Sequence, residues 1–203
     1  MEKIFKGIML TFIMSTAFTS QTVVVGEVFT ATWWGYCPTA RAGLNDMMNN
    51  LDNFVPLIWE SDGHYSPHHN ERYAMYAVSG IPHAAFQGQE MVVGGLSSGS
   101  MYSYYVPFYN QFEDDNSPIY MDITMPTNSS GGVDIEVEVV MTGSLSLPNN
   151  KMIFILTYNY SSSYCATVSR YHEQDFTLNY TGQEATFSHS FDLDSSWDLD
   201  KVR

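Results

Sequence analysis

Residues 30–38 read Thr-Ala-Thr-Trp-Trp-Gly-Tyr-Cys-Pro, a dithiol redox motif that keeps only the second of its two cysteines. Trp34 stands where a Cys-x-x-Cys motif has its first cysteine, and Cys37 stands at the second position. The first cysteine is the nucleophile, because an exposed place at a helix N-terminus lowers its pKa. The second cysteine resolves the mixed disulfide that the first one forms. An indole can do neither, so the stretch predicts the surroundings of a thiol site without its attacking atom.

Features of the same kind occur on both sides of this motif. An apolar strand pattern at 23–32 runs into it, and the Cys37-Pro38 pair is typical of a turn that opens a helix. Later, Ser79-Gly-Ile-Pro82 fits a proline that faces such a site and has a cis peptide bond before it. The backbone beside that proline can pair with an extended substrate chain. The order and spacing of the three features predict a thioredoxin-like fold.

The first 20 residues have the pattern of a secretory signal peptide. Lys3 and Lys6 precede a short uncharged run at 7–18, and small residues follow the run. No later segment approaches the ~18 consecutive apolar residues that a membrane-spanning helix needs. We therefore expect an exported protein without a transmembrane segment.

The chain is acidic, with 22 aspartates and glutamates against 8 lysines and arginines and a formal net charge of −14. Nucleic acids and anionic membrane surfaces bind clustered basic residues, so the composition argues against both partners. Cys37 and Cys165 are the only cysteines, too few for a scaffold built on disulfides. We expect no bridge between them, because we place them in different domains.

The pattern changes near residues 114–118, from mixed strands and helices to strands alone. The predicted elements before this point are a strand at 22–31, a helix at 38–51, a strand at 54–59, a helix at 70–76, a hairpin of 83–86 with 90–93, and a helix at 101–112. The predicted strands after it are 119–125, 133–141, 152–158, 164–171 and 185–193.

These elements predict three parts: a signal peptide at 1–20, an α/β thioredoxin-like domain at 21–116, and an all-β antiparallel sandwich domain at 117–203. Short strands separated by Asn, Ser, Gly and Pro stretches are typical of sandwiches. No closing strand is evident before Arg203, so we expect the sandwich to be truncated.

Two stretches at the motif, Val25-Gly-Glu-Val-Phe-Thr-Ala-Thr-Trp33 and Gly35-Tyr-Cys-Pro38, resemble the outer-membrane-protein-28-related family of bacterial envelope proteins. Tyr76-Ala-Val-Ser-Gly-Ile-Pro82 is similar to the family's proline segment, and Val168-Ser-Arg170 with Gly182 is loosely similar to its C-terminal pattern. The resemblance implies a thioredoxin-like domain joined to a β-rich C-terminal region. It also implies a location in the periplasm, the outer membrane or the cell surface.

The chain departs from this family at two positions. Typical members have a cysteine at the position of Trp34 and an acid at the position of Val28, where it handles protons for the resolving cysteine. Glu27 is a poor substitute, because adjacent residues of a strand point to opposite faces of the sheet. We therefore expect no dithiol cycle.

The leading hypothesis is a non-catalytic binding or adhesion module for an extended peptide or an envelope protein. The predicted binding groove is formed by Trp33, Trp34, Gly35, Tyr36, Pro38, Ile81 and Pro82. The alternative is a thiol-disulfide oxidoreductase or monothiol protein with Cys37 as its catalytic residue, although burial at the second position raises a thiol's pKa.

A metal carrier is a third hypothesis, based on the histidines at 64, 68 and 69. Histidines at such spacing can bind zinc or copper, and Glu60, Asp62 or Glu71 could complete a site. Loop histidines are usually only solvated, however. We therefore predict no metal and no cofactor.

Overall fold

The computed structural model describes residues 20–125, 131–145 and 150–203. The predicted signal peptide therefore lies outside the described residues, apart from Ser20. Within these ranges the chain is a mixed α/β structure with three α-helices and mostly strands. None of its helices in the described part is long and apolar enough to cross a membrane.

The helices and strands agree closely with the periodic patterns of the sequence. The helices are α1 (Cys37–Asn50), α2 (His69–Met75) and α3 (Tyr102–Phe112). The strands are β1 (Ser20–Gln21), β2 (Val24–Thr30), β3 (Phe54–Glu60), β4 (His83–Phe86), β5 (Glu90–Val93), β6 (Asn116–Ser117), β7 (Ile119–Thr124), β8 (Gly132–Met141), β9 (Asn150–Tyr158), β10 (Thr167–Phe176) and β11 (Glu184–Asp192).

The strand predicted at 164–171 differs most from the structure, where β10 begins at Thr167 and runs on to Phe176. Two local features delay its start. The Tyr164 N–H donates to the carbonyl of Ser161 in a turn, and Ala166 has a φ of +47°, which lies outside the β region of backbone conformation.

The largest sheet has six strands in the order β5-β4-β2-β3-β10-β9. β2 runs parallel to β3 and antiparallel to β4. β10 adds to the other side of β3 in parallel, with Thr167 opposite Ile58. The sheet thus combines strands from both sides of the boundary predicted at residues 116 and 117, and that division stays a prediction.

A three-stranded antiparallel sheet of order β11-β8-β7 packs against the far end of the six-stranded sheet. Its core joins the inward side chains of β8, such as Val137 and Val139, to those of β9, such as Phe154 and Leu156. The predicted layering of strands on strands is therefore present. One layer, however, is the β9–β10 end of the six-stranded sheet rather than a separate sheet.

Successive residues of β2 point to opposite faces of the large sheet, as the period of a strand requires. Val24 and Val28 join a core beneath α1 and α3, whereas Phe29 joins a cluster on the side of α2. α1 and α3 approach each other closely at Gly43, where a Cβ would lie 2.8 Å from the ring of Tyr105. The motif at residues 30–38 therefore lies where β2 passes into α1.

Candidate functional site

The turn between β2 and α1 holds the cysteine at the first position of the helix. The Cys37 N–H donates to the carbonyl of Trp34 at 3.0 Å. Pro38 follows in the first turn of α1, where a helix needs no N–H donor. The Thr39 hydroxyl donates to the carbonyl of Tyr36 at 2.9 Å and ties the turn to the helix.

The side chains of this turn form an exposed aromatic surface. The exposed fractions are 69% for Trp33, 40% for Trp34 and 44% for Tyr36. Ring centroids lie 5.8 Å apart both between Trp33 and Trp34 and between Trp34 and Tyr36. We call Trp33–Tyr36, with Gly35 between the aromatic residues, the aromatic turn. Large aromatic rings held in contact by one another are the side chains that most often anchor protein partners.

The proline segment meets this turn at Gly95. The Ile81–Pro82 peptide bond is cis, and Pro82 itself is buried. A Cβ at Gly95 would lie 2.5 Å from the Tyr36 carbonyl oxygen and 3.2 Å from Pro82 Cγ, so only glycine allows this approach. Tyr36 and Pro82 are therefore brought together, whereas Ile81 packs toward the cluster on the side of α2.

Cys37 is a buried thiol behind the aromatic turn. Its side chain is 0% exposed, and the Ala31 N–H donates to its Sγ at 3.4 Å. Burial raises the pKa of the Cys37 thiol, while the nearby charge of Arg41 opposes that rise. Cys165 is likewise a free, buried thiol whose pKa burial raises. Neither cysteine has the exposed thiolate that disulfide exchange requires.

A buried ion pair lies near Cys37. Glu60, the last residue of β3, accepts hydrogen bonds at Oε1 from the Thr30 hydroxyl at 2.6 Å and from Arg41 Nη1 at 3.0 Å. The negative charge of Glu60 raises the pKa of Cys37, and the charge of Arg41 lowers it. The pair is thus electrostatically coupled to the thiol, a role that the sequence did not reveal.

Glu27 belongs to the opposite face of the sheet, as strand alternation predicts. It accepts hydrogen bonds from Trp59 Nε1 at 2.8 Å, from Arg72 Nη2 at 2.6 Å and from the Tyr76 hydroxyl. Burial lowers the pKa of Arg72, but the charge and the hydrogen bond of Glu27, together with the nearby Tyr76 and Tyr171, raise that pKa overall. Glu27 therefore fixes α2 to the sheet and does not serve Cys37.

The histidines of the loop before α2 separate into different aromatic contacts. His64 stacks on Tyr160 with 3.7 Å between ring centroids, His68 lies 4.5 Å from Tyr171, and His69 is buried against Phe29. Within the described residues, no three His, Cys, Asp or Glu side chains are grouped to hold a metal ion.

Comparison with known proteins gives a fold likeness. No family model matches the chain, and no curated protein matches it either. Among solved structures, the chain is similar to HBP35 of Porphyromonas gingivalis, with a TM-score of 0.68 and 17% sequence identity. The likeness covers 91% of this chain and 68% of the HBP35 chain. At this level of identity the chain shares its fold with HBP35, and the fold is what the comparison shows.

Proposed function

We propose that this chain is an exported envelope protein whose thioredoxin-like site acts as a non-catalytic binding or adhesion module. The observation that carries the proposal is the contrast between the aromatic turn, which is exposed, and the Cys37 thiol, which is buried. At the position of the attacking cysteine, Trp34 offers a ring for contact instead of a nucleophile. The site therefore offers exposed side chains that can bind a partner, but it has no exposed cysteine to carry out disulfide exchange.

The thioredoxin-like part of the proposal is supported by the order of elements around the site. β2, α1 and β3 precede a cis Ile81–Pro82 bond, which leads into the β4–β5 hairpin and then α3. The fold likeness to HBP35 and the resemblance of residues 25–38 to an envelope family support the same assignment. The two-domain division at 116 and 117 and the location in the periplasm, outer membrane or cell surface belong to the proposal.

The ligand of this module is an extended peptide or a segment of another envelope protein. The close approach of the Tyr36 carbonyl and Pro82 at Gly95 supports this choice, because it places the aromatic turn beside the proline whose neighbouring backbone would pair with an extended chain. The groove would comprise the aromatic turn with Pro38, Ile81 and Pro82.

The test is binding of an unfolded, carboxymethylated protein chain to the full protein, measured by fluorescence anisotropy. Such a probe is extended and carries no thiol, so it reports binding alone. Trp34→Ala should weaken binding by about tenfold, because an aromatic anchor that the bound chain would cover is lost. Tyr180→Ala, at an exposed aromatic residue in the loop before β11, is the matched control and should change nothing. Unchanged affinity in Trp34→Ala, with an unchanged unfolding midpoint, would remove the groove from the proposal.

A second candidate is residual thiol chemistry at Cys37, favoured by its place at the first position of α1 and by the charge of Arg41. The Cys37 thiolate would attack a substrate disulfide, forming a mixed disulfide and releasing one thiolate, and an external dithiol would then reduce the mixed disulfide.

Reduction of a protein disulfide in the presence of an external dithiol separates the two candidates. We expect no turnover by the wild type and turnover by Trp34→Cys, which restores both thiol positions. Wild-type turnover that Cys37→Ser abolishes would contradict the non-catalytic proposal.

A further inference from the structure

Strand β7 is the outer edge of the three-stranded sheet. Among the described residues β8 is its one strand partner, and the two pair in continuous register from Ile119–Met141 to Thr124–Glu136. An edge strand presents N–H and C=O groups that can pair with another chain, and natural edges are commonly blunted by lysine, proline or a bulge. The sequence of β7, Ile-Tyr-Met-Asp-Ile-Thr, contains neither lysine nor proline.

The inner face of β7 is apolar and uncovered. Met121 and Ile123 lie opposite Val139 and Val137, so they are on the face of the sheet that forms the core. Yet Met121 is 50% exposed and Ile123 is 63% exposed, whereas both valines are buried. The apolar face of the sheet therefore extends beyond its own core at this edge, where only Ile119 packs inward.

The outer face beside β7 is acidic. Asp122 lies opposite Glu138 on this face, and the next outward position of β8 is Glu136. All three carboxylates are exposed. A strand added beside β7 would therefore meet apolar side chains on one face and negative charge on the other.

A second copy of this chain does not fit the edge. Pairing two β7 strands would place two acidic outer faces side by side, and like charges on neighbouring strands destabilise a sheet. Each copy also carries a formal net charge of −14, so association of copies is opposed at long range as well.

We propose that β7 is a docking edge for an extended segment of a partner protein in which apolar residues alternate with lysine or arginine. Backbone hydrogen bonds to β7 would supply the pairing, and the apolar side chains would cover Met121 and Ile123. The basic side chains would lie over Asp122, Glu136 and Glu138. This edge is distinct from the aromatic turn, which follows β2 in the other sheet.

Three synthetic peptides test the proposal against the full protein by fluorescence anisotropy. One alternates valine with lysine, one alternates valine with glutamate, and one has the valines and lysines in two separate blocks. The alternating lysine peptide should bind, with an affinity that falls as salt rises, and the other two should bind at least about tenfold more weakly. Equal binding of the alternating and block lysine peptides would overturn the proposal. Only the alternating peptide, when paired with β7 as a strand, places all its valines on one face and all its lysines on the other.

Three variants locate the binding. Ile123→Lys should weaken binding of the lysine peptide by about tenfold or more, because a charge would enter the apolar face. Asp122→Lys should weaken the lysine peptide and strengthen the glutamate peptide. Glu184→Lys makes the same charge change on β11, at the opposite edge of this sheet, and should leave both affinities nearly unchanged.

Two results would overturn the assignment to β7. If Glu184→Lys weakens the lysine peptide as much as Asp122→Lys does, the attraction comes from the overall charge. If sedimentation shows a wild-type dimer that Ile123→Lys separates into monomers, the edge is occupied by a second copy. Neither result involves Trp34, so the proposal for the aromatic turn is tested independently.

Discussion

The two faces of the six-stranded sheet each bury one glutamate–arginine pair, and the two pairs are satisfied to different degrees. On the face of α2, both carboxylate oxygens of Glu27 accept hydrogen bonds, from an indole, a phenol and Arg72. On the face of α1, Glu60 accepts both of its bonds at Oε1. Its Oε2 and Nε of Arg41 have no hydrogen-bond partner among the described residues.

The two pairs differ in how completely hydrogen bonds compensate the burial of their charges. Removing charges from water is unfavourable unless hydrogen bonds satisfy them, and Glu27 meets that condition. The pair of Glu60 and Arg41 does not, and it lies where its charges act on the Cys37 thiol. Buried polar groups without a partner are uncommon in native proteins and call for an explanation, of which a redox role is one. At the motif end of the sheet, this pair is therefore electrostatically linked to a thiol that has Trp34, not a second cysteine, at the other motif position.

The largest effect should follow from breaking the satisfied pair. Arg72→Met leaves the charge of Glu27 buried without its cation, which should lower the free energy of unfolding by ~3–5 kcal/mol. Urea denaturation measures this change. Lys151→Met is the control, because Lys151 forms an exposed pair with Glu173, and it should leave the unfolding midpoint nearly unchanged. A loss in Arg72→Met no larger than in the control would show that the network of Glu27 is not structural.

Replacing both members of each pair sharpens the comparison. Glu27→Leu with Arg72→Met leaves the buried indole N–H of Trp59 and the phenol O–H of Tyr76 without their acceptor. This double variant should lower the free energy of unfolding by ~2–3 kcal/mol. Glu60→Leu with Arg41→Met leaves only the Thr30 hydroxyl without its acceptor. This double variant should change the free energy of unfolding by less than about 1 kcal/mol. The two double variants are compared by urea denaturation at one pH. Equal losses would mean that the two faces do not differ.

A smaller effect, on pH dependence, belongs to the face of α2. His83 lies opposite Phe29 on this face, and neither of its ring nitrogens has a partner among the described residues. Burial lowers the pKa of His83, so the unfolded chain takes up the proton first as the pH falls. The stability that neutral His83 contributes is present above about pH 6.5 and is lost below it, by about 1.4 kcal/mol per unit of pKa lowering.

His83→Phe should therefore flatten the dependence of the free energy of unfolding on pH between 7.5 and 5.5. Urea denaturation at both values measures the slope. His189 should account for part of the slope that remains, because burial and the stacked His172 also lower its pKa. A wild-type slope in His83→Phe would show that His83 does not contribute to acid sensitivity.

The sequence predicted the local elements well because each depends on its own periodicity. The spacing of Leu44 and Met47 placed α1, and the Gln87-Gly-Gln89 segment placed the hairpin of β4 and β5. Strand pairing is different, because it depends on residues distant in the chain. Nothing in the pattern of residues 167–176 indicates that β10 joins β3 rather than only its neighbours in sequence.

The candidate site divides in the same way. The motif predicted a shielded Cys37, and the separate segment at 79–82 predicted a proline that faces it. The structure buries Cys37 and brings Pro82 to the turn. The pair of Glu60 and Arg41 was missed, because it requires both the parallel register of β2 with β3 and the inward face of α1. The available signal was polar Thr30 and Glu60 ending two otherwise mostly apolar strands.

The parallel pairing of β3 with β10 also has a consequence for the order in which the chain can assemble. During synthesis, residues 54–60 emerge long before residues 167–176. One edge of β3 therefore stays without its β10 partner while the intervening chain is made. Pairings of such long sequence separation form slowly, and an unpaired strand edge can form hydrogen bonds with other chains. The protein is therefore most vulnerable to aggregation as an unfinished chain, and a chaperone that holds the early segment would have the most effect at that stage.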